Sequence, residues 1–232
     1  LFEGTFRKYH GIAGYERYLQ LAADAAKDFM DNSPYTIYKE GNTPYMNLFA
    51  SKNAIKSEVI MALNYNVGLN IVHDLNRFFT SDGAKPGLNK KIVDSYLMYD
   101  GTRFTDKADY QTMGFYDEMQ GRDPRLAQTI VTPGYKRIGG TDVLSPSFSA
   151  ATTGYQIIKG VTTPADDIWH KSQNDFPLFR AAEVYLNYAE AKAELGTLTQ
   201  ADLDASILKI RQRVGMPGID MAAANATPDP YL

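Results

Sequence analysis

Between residues 176 and 196 the apolar positions fall on two helical faces rather than one. Ala182, Leu186, Ala189 and Ala193 step by four, three and four residues, and Val184, Tyr188, Ala191 and Leu195 repeat that step on a second face. Glu183, Asn187, Glu190 and Glu194 form the polar stripe. An ordinary surface helix carries a single apolar stripe. Two stripes, one rich in alanine, predict a helix over 176–196 held between close neighbours, as in stacked helix-turn-helix repeats. Gly196 suits the helix C-terminus, because glycine takes a left-handed conformation without steric cost. Thr199 with Asp202 has capping-box spacing. Leu203, Ile207, Ile210 and Val214 then make one stripe, closed by Gly215 and Pro217. The span 178–214 has roughly the size of a tetratricopeptide unit, about 34 residues. Two antiparallel helices are expected there, with Ala182, Ala189 and Ala193 at their contacts.

The same reading places an amphipathic helix on Tyr15, Tyr18, Leu19, Ala22, Ala26 and Phe29, ending near Met30 where Asp31-Asn32-Ser33-Pro34 stops it. A short helix is expected over 45–49 and a helical patch over 91–98, in a stretch from Gly83 to about Thr105 that is otherwise irregular. Residues 57–63 form a short apolar run that fits strand or helix. Residues 101–175 are rich in Gly, Pro, Thr, Ser and Asp and have little helical periodicity. They predict loops with short strands over 126–131 and 155–159, and long irregular excursions usually carry function. The expected fold is mainly α: one domain over 1–232, with a tetratricopeptide-like helical scaffold (1–100), a loop-rich excursion with short strands (101–175), a helical hairpin (176–217) and a tail (218–232).

Composition narrows the function classes. The 232 residues are 44% hydrophobic and 22% charged, an ordinary globular balance. A net charge of −3 gives no basic face for a polyanion such as nucleic acid. No run of 18 apolar residues spans a bilayer, and no signal peptide is visible at Leu1-Phe2-Glu3-Gly4. The lack of an initial Met and the turn-rich end from Ala224 to Pro230 are read as marks of a fragment. With no cysteine, disulfides, thiol catalysis and cysteine–zinc sites are excluded within these residues.

The candidate chemistry is sparse. His10, His73 and His170 share no ligand spacing, so neither a zinc site nor a hydrolase triad has residues to work with. No spacing singles out a carboxylate pair for glycoside hydrolysis. The runs Asp106-Lys107-Ala108-Asp109 and Asp166-Asp167 are weak places for a structural calcium, since neither is an ordered ligand loop. Arg122-Asp123-Pro124-Arg125 reads as a rigid turn: Asp123 caps it, Pro124 follows, and the arginines meet carboxylates or carbonyls. Arg180 and Glu183 read as a structural pair on one helix. Tyr is used 16 times against Phe 11 and Trp 1; most tyrosines are expected to fill helix contacts. Trp169 stands apart. It lies in a polar loop, Thr162 to Lys171, with Asp167 and His170 beside it. That arrangement fits either a sugar platform, ring face plus polar edge, or an anchor that pins the loop. Tyr155, Tyr135 and Phe148 belong to the same excursion.

Several ordered motifs then accumulate into a family resemblance. Phe6-Arg7-Lys8-Tyr9-His10-Gly11 resembles the lead-in to a family helix. Ser57-Glu58-Val59-Ile60, Ile92-Val93-Asp94-Ser95-Tyr96 with Asp100-Gly101, and Arg122-Asp123-Pro124-Arg125-Leu126 follow in family order. So do Gly154-Tyr155 with Lys159, Arg180-Ala181-Ala182-Glu183-Val184 with Tyr188-Ala189-Glu190-Ala191, and Arg211-Gln212-Arg213-Val214-Gly215-Met216-Pro217. The chain resembles the SusD/RagB family of Bacteroidetes outer-membrane nutrient-binding lipoproteins. The resemblance implies a tetratricopeptide-like scaffold whose irregular region carries the ligand site. It implies surface exposure, binding of oligosaccharide or polysaccharide (starch among them, or peptide in some members) without catalysis, no cofactor, and a SusC-like TonB-dependent transporter as partner. The family's acylated cysteine and its C-terminal Glu-Arg pattern are missing, which is read as the middle of a longer protein. Within that picture Trp169, Tyr155, Tyr135, His170 and Asp167 are the expected ligand-binding residues. A tetratricopeptide-type protein-interaction scaffold is the competing reading.

Overall fold

The helices that the periodicity marks are present, but they are cut and joined by details below its reach. The structure, a computed structural model, describes residues 1–81 and 84–228. In chain order the elements are α1 (Phe2–Tyr9), α2 (Tyr15–Asn32), α3 (Pro44–Ala50), β1 (Val59–Leu63), α4 (Leu75–Thr80), α5 (Lys90–Ser95), α6 (Phe115–Glu118), β2 (Phe176–Arg180), α7 (Ala181–Glu194), α8 (Gln200–Ala205), α9 (Ile207–Gln212) and α10 (Met221–Ala226). β1 and β2 pair as a two-stranded sheet. Gly83 and the end of the expected tail, 229–232, lie outside the described residues. The chain forms two compact units: Leu1–Tyr38, Lys56–Ile60 and Phe179–Leu232 make the first, Lys39–Ile55 and Met61–Leu178 the second.

In the first unit α1 packs on α2, α2 on α7, and α7 on α9. Alanine permits the approach: Ala23 and Ala26 of α2 and Ala181, Ala182, Ala189 and Ala191 of α7 are buried. Gly4 of α1 is buried as well, and a Cβ there would meet Leu19 at 2.7 Å. The expected capping box is formed: Thr199 accepts from the Asp202 N–H while the Asp202 carboxylate accepts from the Thr199 N–H. Tyr188 donates to the other oxygen of Asp202, tying α7 to the start of α8. Lys8 and Tyr9 both bond the Glu194 carboxylate, at 2.7 and 2.8 Å, tying α1 to the end of α7. At the centre Glu58, fully buried, accepts from Arg213 Nη2, Arg180 Nη1 and the Tyr38 N–H.

Five expectations need correction in detail. The helix placed over 176–196 starts only at Ala181; Phe176–Arg180 is strand, its backbone taken up by pairing with β1. On α7 the exposed stripe is Glu183, Leu186, Glu190 and Ala193. Leu186 and Ala193 therefore face outward, because Glu194 is drawn in by Lys8 and Tyr9 and the helix is rotated accordingly. The stripe from Leu203 to Val214 is two helices, broken at buried Ser206, whose hydroxyl competes with the backbone for the Asp202 carbonyl. The strands expected over 126–131 and 155–159 are only isolated bridges, Ile130 with Ile157 and Gln156 with Gly87, since the backbone after Asp123 bonds locally in turns. The motif at Phe6 to Gly11 forms the end of α1 and the turn beyond it rather than a lead-in. The ambiguous run at 57–63 resolves as β1.

The second unit holds two apolar clusters. Met46, Val131, Ile158 and Val161 form one, with Tyr135 packed on it; Val93, Met119, Leu126 and Ile130 form the other, with Tyr155 packed on it. Because so little of this unit is regular, side chains satisfy its backbone. Buried Asp175 accepts from the Ala54 and Tyr65 N–H groups and from Asn64. Arg122 donates to the carbonyls of Glu118, Val93 and Tyr96 and lies 3.6 Å from the Phe104 ring centroid. Burial lowers its pKa from the usual guanidinium range. Arg125 forks onto Asp123. The charged motif is a turn built from its own groups, as its sequence indicates.

Candidate functional site

The 3-10 turn Pro164–Asp166 leads into Asp167, Ile168, Trp169 and His170. Three residues clamp this loop from behind. Buried Asn76, on α4, donates to Thr162 Oγ1 at 2.9 Å and the Thr163 carbonyl at 3.2 Å, and accepts from the Thr162 N–H at 3.1 Å. Arg137 forks onto both oxygens of Asp167 at 3.0 and 2.8 Å, and its Nε and Nη2 bond the Thr162 carbonyl. Asp74 accepts from the His170 N–H, which holds His170 at φ 61°. A non-glycine residue in that left-handed region needs such a fixed surrounding. Asp166 completes the loop by accepting from the Thr162 and Thr163 hydroxyls.

A side chain held up by a clamp of this kind loses little entropy on binding. Trp169 remains 51% exposed, although it is the sole tryptophan of the chain. Its indole stands edge-on to Phe78, 5.7 Å between centroids and 85° between planes. The Arg77 guanidinium lies 5.5 Å from the indole centroid and the His170 ring 6.3 Å. Ile168 and Phe78 are exposed beside it. The surface offers an apolar ring face with donors at its rim.

The five expected ligand residues divide. Trp169, His170 and Asp167 come together on the one loop, with Asp167 turned inward as a strut. Tyr155 donates to both oxygens of Glu118 at 3.1 and 3.0 Å, and burial with that carboxylate pushes its hydroxyl up to about 12. Tyr135 packs in the Met46 cluster; burial raises its hydroxyl, and Arg137 and Asp167 are near enough to act on it. Phe148 is exposed. The partners on α4, Asn76, Arg77 and Phe78, escaped the sequence reading. The adjacent Asn-Arg-Phe-Phe was the available signal, but only the fold brings it beneath a loop some ninety residues later. Three of the carboxylates considered for calcium are engaged by protein groups: Asp106 by Arg103, Asp166 by hydroxyls, Asp167 by Arg137. Among the described residues no group of three or more His, Asp or Glu is placed to hold a metal ion.

Comparison with known proteins locates this architecture. The profile of the SusD family matches residues 57–230. The chain belongs to the SusD family. Its mainly helical fold matches solved structures of that kind. One is a SusD-like carbohydrate binding protein from Bacteroides fragilis, 23% identical with a TM-score of 0.62, aligned over 87% of this chain and 42% of that one. A second SusD-like protein from Bacteroides fragilis is 21% identical, TM-score 0.61, over 94% and 47%. A laminarin binding SusD-like protein is 19% identical, TM-score 0.51, over 95% and 48%. The chain thus spans less than half the length of these structures. No curated protein matches it. Among the described residues no helix is long and apolar enough to cross a membrane.

Proposed function

We propose that this chain binds oligosaccharide or polysaccharide without catalysis, through the Trp169 loop, and serves nutrient capture at the bacterial cell surface. The observation that carries the reading is Trp169 itself: a half-exposed indole on a loop clamped by Asn76, Arg137 and Asp74. Pyranose rings present C–H faces that stack on an aromatic ring and hydroxyls that need polar partners at the rim. His170 and Arg77 supply the rim. Family membership and the carbohydrate-binding description of the Bacteroides fragilis relative support the same reading. In its cellular setting the protein is a lipid-anchored outer-membrane component that passes ligand to a SusC-like TonB-dependent transporter; membership of the family is the ground for that part. The carboxylates beside Trp169 are held in structural bonds, Asp167 to Arg137, Asp166 to the Thr162 and Thr163 hydroxyls and Asp74 to His170, and on this reading the site's chemistry is adsorption.

Titration calorimetry of the folded chain with laminarin, amylopectin, xylan and pectin tests this, with Trp169→Ala alongside and a thermal melt of both. The expected result is heat with at least one glycan, lost in the variant while the melt is retained. Binding unchanged in Trp169→Ala, or reducing-sugar release that disappears on replacing one acidic residue, overturns the assignment.

A further inference from the structure

The charge around the indole is unevenly spent. Three carboxylates share this loop, and each is turned into the loop's own bonds: Asp167 to Arg137, Asp74 to the His170 N–H, and Asp166 to the Thr162 and Thr163 hydroxyls. The cations are not spent in the same way. Among the described residues the Arg77 guanidinium has no hydrogen-bond or ion-pair partner, and its Nε–H is buried without an acceptor. Its one contact of note is the Trp169 ring, over which the guanidinium lies 5.5 Å from the centroid. Lys171, two residues beyond Trp169, is exposed and has no partner among the described residues either. The exposed His170 imidazole is not free in the same sense, since its Nδ1 lies 3.5 Å from an Asp74 carboxylate oxygen.

A guanidinium normally finds a carboxylate or carbonyl, as Arg103, Arg122, Arg125, Arg137 and Arg213 all do here. One held against an exposed indole with no carboxylate or carbonyl partner among the described residues is suited to a planar anion from outside. We propose that the Trp169 platform selects acidic glycans: the sugar ring stacks on the indole and its carboxylate or sulfate takes the Arg77 fork, with Lys171 adding field. This rests on the carbohydrate-binding reading and names the substrate class within it. The neutral chains tried in a general screen would then be the poorer ligands.

The test uses glycans in matched charged and neutral forms. Polygalacturonate oligosaccharides and their methyl esters are one pair, carrageenan oligosaccharides and their desulfated forms another, with laminarin and amylopectin as further neutral probes. Each is titrated into the folded chain and into Arg77→Gln, Arg77→Lys and Trp169→Ala, with a melt of every protein. Expected is binding of an acidic member, about tenfold weaker after esterification or desulfation and about tenfold weaker in Arg77→Gln, the worth of one charge-assisted fork. Arg77→Lys should recover part of it, and Trp169→Ala should lose it. A neutral form bound as tightly as its acidic counterpart, with Arg77→Gln silent and Trp169→Ala still inactive, overturns the anion assignment and leaves the platform standing. No binding by any probe, or binding that survives Trp169→Ala, overturns the platform and this inference with it. Should Arg77→Gln fail to melt cooperatively, the matched glycan pairs and Arg77→Lys decide alone.

Discussion

Arg213 donates from Nη2 to both carboxylate oxygens of Glu58 at 2.6 Å, and both side chains are inaccessible to solvent. Glu58 also receives Arg180 and the Tyr38 N–H, and its own carbonyl accepts from the Ala181 N–H that opens α7. Residues from three separate stretches of the first unit are thereby tied to one carboxylate. Removing one partner leaves an uncompensated buried charge, which typically costs about 3–5 kcal/mol. Glu58→Gln and Arg213→Met should each lower the urea midpoint by that order. A pair of well-packed apolar residues replacing both should cost less than either single change. A midpoint unmoved by Arg213→Met would remove the pair from the stability of the unit.

Ala189 is buried on α7 whereas Ala193 is exposed. Ala189→Leu should overpack the contact and cost about 1–3 kcal/mol. Ala193→Leu should stay within about 0.5 kcal/mol of the parent. Chemical denaturation of the two variants side by side reads out the rotation of α7 directly. Equal losses would mean that both alanines lie in contacts.

His73 carries a pH dependence of definite sign. Its Nε2–H donates to the Asn174 carbonyl at 3.0 Å, and its Nδ1 accepts from the Leu75 N–H at 3.2 Å, so both partners demand the neutral ring. Burial, against Tyr65 and Phe176 among others, lowers its pKa below 6.5 and outweighs the upward pull of the Asn174 bond and of Asp74 and Asp166. The unfolded chain takes up the proton first, so this residue's contribution is complete above 6.5 and declines as pH falls toward the lowered folded value. Urea midpoints should therefore drop from neutral to mildly acidic pH, and the His73→Gln variant should show a flatter dependence. Parallel slopes for the two proteins would count against it.

Tyr155 and Trp169 should separate in their effects. Tyr155→Phe deletes a bond to the buried Glu118 carboxylate, which leaves Lys90 as a remaining partner. It should cost about 1.5–3 kcal/mol of stability, the usual worth of a hydrogen bond to a charged group, and leave glycan affinity alone. Trp169→Ala should do the reverse. A melt and a titration on each variant check the crossing; a loss of affinity with Tyr155→Phe would bring Tyr155 back into the ligand surface.

How far the sequence reaches differs between the two units. In the first, helices are local objects. The stripe of α2, the Thr199–Asp202 cap and the left-handed Gly196 rest on bonds three or four residues apart, and they stand where the periodicity puts them. What failed there was the rotation of α7, imposed across the chain by Lys8 and Tyr9 on Glu194, and the break at Ser206, which a buried hydroxyl bonding four residues back produces and no periodicity registers. The site was half legible. A tryptophan off any apolar stripe, among Asp, His and Lys, points to itself. Asn76, Arg77 and Phe78 do not, because nothing in their spacing announces the loop they serve.

The sequence alone determined the kind of protein: its helical character, the turn at Arg122 to Arg125, and an ordered set of motifs that identify the SusD family without any coordinates. These follow from interactions a few residues long or from patterns that are themselves linear. Only the tertiary structure decided which groups are spent and which are free. Asp167 is neutralised by Arg137, thirty residues earlier, and the Tyr155 hydroxyl is taken by Glu118. Arg77 is left beside the indole without a counter-charge among the described residues. Whether a charge is free is a property of three-dimensional neighbours, since Coulomb and hydrogen-bond energies depend on distance in space and are indifferent to distance along the chain.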